Sequence, residues 1–176
     1  MNNQTSWDLS KIYPTEEAFL ADLKVLKEDV IPALGSYAGK LGDEEALKGY
    51  LSKEREMDML LNKLHLFAHC QSDLNKKNTH NSELLSKVDL AIQELIMATS
   101  FEEPEILALG KAYIDEFLKK NPEYDEFSFS FQKLFDGQRH VLSSEAEKLL
   151  SAYSSILGEA GDLYSTLSVG DFTPNK

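Results

Sequence analysis

A single cysteine, Cys70, stands in the 176-residue sequence, so no intramolecular disulfide can form. It lies in an apolar helical context and reads as a small buried hydrophobe rather than a reactive thiol. Arginine is nearly as scarce. Arg55 and Arg139 are the only two, which argues against phosphate clamps. Acidic side chains outnumber basic ones 30 to 18, a formal net charge of −12. A non-specific nucleic-acid surface needs the opposite balance. The acidity serves solubility, or a cationic ligand. No apolar run approaches the ~20 residues that span a bilayer. The start, MNNQTSWDLSK, lacks the basic and apolar regions of a signal peptide. These absences lead us to expect a cytoplasmic protein with no nucleic-acid and no membrane partner. Also missing are G-x-S-x-G, a Walker loop, a Rossmann glycine fingerprint, an EF-hand loop and C-x-x-C. Internal repeats and low-complexity tracts are absent as well.

What is present is helical. The length suits one domain with one sizeable core. The organising stretch runs from Asp43 to Asp73, where Ala46, Tyr50, Met57, Leu60, Leu61, Leu64, Phe67 and Ala68 recur at spacings of three and four. Such steps stack side chains on one helix face. Lys53 interrupts that face near its start. Met59, Leu66 and Cys70 lie on roughly the opposite side, so the second half should be buried between neighbours. About thirty residues of helix span roughly 45 Å.

Before this helix, Trp7, Leu9, Ile12 and Tyr13 form an apolar anchor that should strap the N-terminal arm onto the helices. Thr15 followed by Glu16 and Glu17 marks a helix start. Pro32 lies within the ensuing stripe, and a kink or break is expected at Ile31. After Asp73, a polar connection leads to a second amphipathic helix capped by Asn81 or Thr79. It carries Leu84, Leu85, Val88, Ala91, Ile92, Leu95 and Ile96. Two long helices with a short polar loop read as an antiparallel hairpin. Pro104 begins a further helix, Gly110 divides it, and Asn121-Pro122 stops it. Residues 127–131 alternate like a strand, yet Tyr124, Phe127, Phe131, Leu134 and Phe135 fit a helix, and no partner strand is evident. Gly137 ends it. Ser144 with Glu147 makes a capping box, or Ser143 caps instead, for a helix stopped by Gly158, and a last short helix carries Leu163, Tyr164 and Leu167. The fold class expected is all-α, a multi-helix array around a long central helical hairpin.

His65 and His69 stand at i and i+4 and could bite one metal ion. The metalloprotease signature needs Glu directly after the first His, and Leu66 is there instead. Asp58 and Asn62 share that flank, so a polar stripe facing solvent or a cleft explains the pair without metal. His65 and His69 are thus weak metal candidates only. The acids Glu16-Glu17, Glu44-Glu45 and Glu102-Glu103 sit at helix starts and complement the macrodipole. No catalytic and no cofactor-binding residue emerges.

The order of segments resembles the N-terminal region of oligoendopeptidase F, in the thimet-oligopeptidase-like group of zinc peptidases. The resemblance rests on Trp7-Asp8-Leu9-Ser10, Ile12-Tyr13-Pro14, Ile31-Pro32 and Phe101-Glu102-Glu103-Pro104-Glu105. It continues in His140-Val141-Leu142-Ser143, Glu147-Lys148-Leu149-Leu150 and Leu163-Tyr164-Ser165-Thr166-Leu167 before Asp171-Phe172. It departs at Asp73–Asn78, where the family has an acidic, Thr-containing stretch. The family's H-E-x-x-H with its downstream Glu ligand is absent, and no zinc ligand passes to His65 or His69. The resemblance implies that residues 1–176 are a single non-catalytic N-terminal lobe. Such a lobe walls a channel that admits short peptides. Its partner would be a C-terminal zinc catalytic domain of the same polypeptide. No cofactor is expected in this chain itself. The competing expectations are a free-standing helical interaction or scaffold domain and, more weakly, a metal-binding bundle using His65 and His69.

Overall fold

The computed structural model describes residues 8–138. The expectations for Trp7, for the helix begun by Ser144 and Glu147, and for the helix of Leu163 to Leu167 lie outside these residues. Internal contacts divide the chain into two units, Met1–Phe135 and Asp136–Lys176. The helices below belong to the first, apart from the last two residues of α7.

The N-terminal arm is strapped down by an aromatic cluster. Asp8 caps a 3-10 turn at Leu9–Lys11 by accepting from the Ser10 N–H at 3.1 Å. Leu9 and Tyr13 are buried behind it. The Tyr13 ring meets Phe19 and Phe67 edge-on, with centroids 5.6 and 5.2 Å away. Its hydroxyl donates to Asp22 at 2.8 Å, and Lys63 places its ammonium 4.0 Å from the ring centroid. Thr15 caps α1 (Glu16–Val25) through the Ala18 N–H.

Pro32 does not break the helix. Instead the chain widens into a π-type turn over Leu26–Val30, in which the Ile31 N–H bonds back to the Leu26 carbonyl, and α2 (Ile31–Gly35) continues from it. Proline has no N–H and its ring clashes with the carbonyl four residues back. Widening the turn moves that carbonyl aside without severing the helix. The break that proline could cause is absent: the helix runs on through the wide turn and buries Phe19, Leu23, Leu26, Val30, Ile31 and Leu34. Each such side chain contributes roughly 1.5–3 kcal/mol on leaving water.

The central helix α3 spans Glu44–Leu74 and is capped by Asp43, which accepts from the Ala46 N–H at 2.8 Å. Its buried residues are Leu47, Tyr50, Leu51, Met57, Leu64, Phe67 and Ala68. One expectation is corrected here and another extended. Met59 and Leu66 are 72% and 53% exposed, so only one side of α3 is covered among the described residues. Glu54 joins Lys53 in interrupting the buried stripe, because both are half-buried and the steps from Tyr50 to Met57 pass through either position. Gly49 has a packing reason. A Cβ there would lie 2.7 Å from the Tyr37 hydroxyl, whose ring lies against the helix.

Helix α4 (Thr79–Ala98) packs along α3 after a four-residue connection and buries Leu84, Val88, Ala91 and Leu95. Its cap is Asn78, not Asn81 or Thr79. Asn81 instead donates to the Gln71 carbonyl at 2.6 Å, tying the two helices across the connection. Ile96, expected in the core, is 55% exposed.

Helices α5 (Glu102–Leu109) and α6 (Lys111–Lys120) meet at Gly110, whose φ of 83° a side chain would strain. Glu105 on α5 accepts from the N–H groups of Gly39 and Leu41, fastening α5 to the connection between α2 and α3. Asn121 is buried, and its side chain donates to the Phe117 carbonyl and to Glu44. A 3-10 segment (Pro122–Phe127) then leads into α7 (Ser128–Gly137). The alternating phenylalanines are therefore helical: Phe127 and Phe131 face inward while Phe129 is 72% exposed. The fold is all-α, with no strand among the described residues. None of their helices is long and apolar enough to cross a membrane.

Candidate functional site

Three elements build one acidic cleft. Glu54, Asp58 and Asn62 stand on successive turns of α3, and Glu126 and Ser130 face them from the 3-10 segment and α7. Met59 and Phe127 add apolar walls to a solvent-open cleft of about 340 Å³. The 3-10 segment is held on α3 by Arg55. Its guanidinium donates to the Glu126 carboxylate and to the Glu123 carbonyl, and it lies 5.7 Å from the Tyr124 ring centroid. Ser52 and Tyr124 share a hydroxyl–hydroxyl bond of 3.0 Å beside it.

Behind the cleft the acids run inward. The Tyr50 hydroxyl donates to Glu102, the first residue of α5, at 2.7 Å. One oxygen of Glu54, Oε2, is buried and has no hydrogen-bond partner. Burial, then the Glu102 charge, then Asp58 push the Glu54 carboxyl up to about 8. Glu102 is also raised, chiefly by burial, although the Tyr50 hydroxyl opposes the rise. Burial and Glu126 raise Asp58. Burial and Glu102 push the Tyr50 phenol upward as well. Glu102 therefore does more than complement a helix dipole, which corrects the reading of that acid.

Burial and neighbouring charge favour the protonated forms of these acids, but the arrangement is not a complete catalytic constellation. Carboxylates line the cleft without a His or Cys. Among the described residues, no three His, Cys, Asp or Glu side chains converge to hold a metal ion. The structure does bring His65 and His69 together, with ring centroids 5.0 Å apart on the exposed side of α3. His69 Nδ1 is 3.8 Å from Asp73. Neither histidine lines the acidic cleft. Sequence reasoning missed the Glu54–Glu102 pair. Its signal was an acid at i+4 from Tyr50 and i−3 from Met57, on the buried stripe.

A family model described as Oligopeptidase F matches residues 105–173. Oligopeptidase PepF of Bacillus subtilis is 29% identical over 97% of this chain and 25% of its own length. Group B oligopeptidase PepB of Streptococcus agalactiae is 27% identical over 94% of this chain and 28% of its own length. The chain thus spans about a quarter of the curated relatives it matches. The crystal structure of a candidate peptidase from Chlamydophila abortus shares the fold, with a TM-score of 0.67 and 24% identity over 97% of this chain and 29% of that one. Along nearly its whole length, this chain is similar in sequence to the N-terminal region of oligopeptidase PepF and oligoendopeptidase F relatives, and its residues 105–173 match the Oligopeptidase F family model.

Proposed function

We propose that this chain is the non-catalytic N-terminal helical lobe of a cytoplasmic, zinc-dependent oligoendopeptidase F-type enzyme. In this reading it forms one wall of a channel that admits short peptides for internal peptide-bond hydrolysis. One observation carries the proposal. Nearly all of the chain matches about a quarter of longer peptidases, and its 176 residues contain no H-E-x-x-H. Among the described residues, Met59 and Leu66 stand exposed two turns apart on α3, which suits packing against a further element. The zinc, held by the remainder of the polypeptide, would polarise the scissile carbonyl and activate a water. This lobe would supply shape and exclusion rather than a reacting group.

The test is the intact mass of the endogenous product, with peptide mapping past Lys176. A polypeptide several-fold larger that yields an H-E-x-x-H peptide is the expected result. A product ending at Lys176 would overturn the proposal and leave a free-standing helical scaffold. The purified 176-residue chain should not cleave a quenched short peptide in a zinc-dependent, chelator-sensitive manner.

A further inference from the structure

We propose that the junction of α3 with the first turn of α5 is a proton-operated clasp. It holds while Glu54 and Glu102 carry one proton between them, and it opens when that proton leaves.

The geometry supplies the parts. Glu54 projects from the buried stripe of α3, between Tyr50 one turn earlier and Asp58 one turn later. Its Oε2 is buried without a partner, a costly placement for a charged carboxylate and a far milder one for a neutral acid. Glu102 opens α5 and its carboxylate accepts from the Tyr50 hydroxyl. The groups around the pair are acidic from every side. Tyr50 and Asp58 face it from α3 and Glu103 from α5, while Glu105 acts on Tyr50 and Glu126 on Asp58. Nearby cations are engaged elsewhere: Arg55 is held by Glu126 and the Glu123 carbonyl, and Lys53 by Glu56. Two carboxylates in such a place do not both ionise near neutrality, so they titrate as a pair. Burial and the Glu102 charge place the loss of the Glu54 proton at about 8, within reach of mild alkali.

The first turn of α5 is the part able to respond. Phe101 gives it no side-chain cap; the Glu102 and Glu105 N–H groups are held by turn bonds to the Thr99 and Phe101 carbonyls. Its far end stays fastened, because Glu105 grips Gly39 and Leu41 and Ile106 is buried. Opening is therefore confined to the residues around Glu102. It costs the Tyr50 hydrogen bond and relieves the repulsion between the two carboxylates.

Amide hydrogen exchange on the full chain tests this. Peptides covering residues 99–106 are compared at pH 6.5 and pH 9.5, corrected for the intrinsic rate, with the buried middle of α4 as internal reference. Between the ordinary glutamate value and about 8, each pH unit shifts the equilibrium about tenfold toward the open, ionised form, so the change falls mainly between pH 6.5 and 8 and levels off above. Wild type should lose at least about tenfold in protection at 99–106 relative to α4. Glu54→Gln should lose none. Carbon-13 titration of the Glu54 carboxyl should give a midpoint well above an ordinary glutamate. Equal behaviour of wild type and Glu54→Gln overturns the proposal, as does titration of Glu54 in the ordinary range. If Glu54→Gln fails to fold, Glu102→Gln serves instead. It keeps an acceptor for Tyr50, removes one acid and must likewise abolish the pH response.

Discussion

Glu105→Ala removes the acceptor that fastens α5 to the connection between α2 and α3. The two N–H groups it leaves differ in their surroundings. Gly39 is exposed, so its amide regains a water and loses little. Leu41 is 0% exposed, so its amide is stranded against apolar neighbours. A buried donor left unsatisfied costs about 1–3 kcal/mol, and a bond to an ionised acceptor is worth about 1.5–3 kcal/mol where it is dry. Exposure of Gly39 to solvent discounts its bond to a fraction of that value. The expected total is about 2–3 kcal/mol. For a chain of this size each kcal/mol lowers the melting temperature by roughly 2–4 °C, so a fall of about 5–10 °C is expected. Glu105→Gln keeps one oxygen and should lose about 1 kcal/mol. Urea unfolding followed by circular dichroism at several wavelengths measures both variants. An alanine variant within about 0.5 kcal/mol of wild type, or a glutamine variant worse than alanine, would refute the reasoning.

Two further outcomes follow from the same packing. Leu64→Ala should destabilise by about 2–5 kcal/mol because Leu64 is fully buried. Leu66→Ala, two positions away and mostly exposed, should change stability by less than about 0.5 kcal/mol in this chain. Similar losses for the two in thermal unfolding would contradict the one-sided burial of α3. The acidic pair predicts a pH profile. The folded Glu54 holds its proton to about 8, against an ordinary 4.5. Between those values the folded chain binds the extra proton, so the contribution of this group is full below the lower value, falls as pH rises and is gone above the upper one. The slope is at most about 1.4 kcal/mol per pH unit. Glu54→Gln should flatten it, so the stability difference between variant and wild type should grow from pH 5 to pH 8. A constant difference across that range would contradict the assignment.

Much of the fold was legible because its signals are local. Thr15 and Asp43 cap the helices they precede. The stripe of α3 from Met57 to Ala68 was also readable, since three- and four-residue spacings leave one solution. The site was less legible for an equally physical reason. An acid within an apolar stripe reads as the stripe's edge, so Glu54 does not stand out beside Lys53. Its meaning depends on Glu102, 48 positions along the chain and brought close only by folding. Met59 and Leu66 show the converse: periodicity reveals an apolar side but not what covers it. Pro32 announced a disturbance, but its form depended on how much the helix could gain by staying whole.

That wide turn at Leu26–Val30 carries an evolutionary consequence. It and Pro32 are a linked pair, and neither is neutral without the other. Deleting one residue among 27–30 would leave the pyrrolidine ring inside a regular helix, at a cost of roughly 3 kcal/mol. Replacing Pro32 by alanine would leave one residue too many between the buried side chains before and after the turn. Passage between this helix and a plain one therefore crosses a less stable intermediate. A relative that lacks the proline is expected to be one residue shorter here, or to keep the turn for another reason.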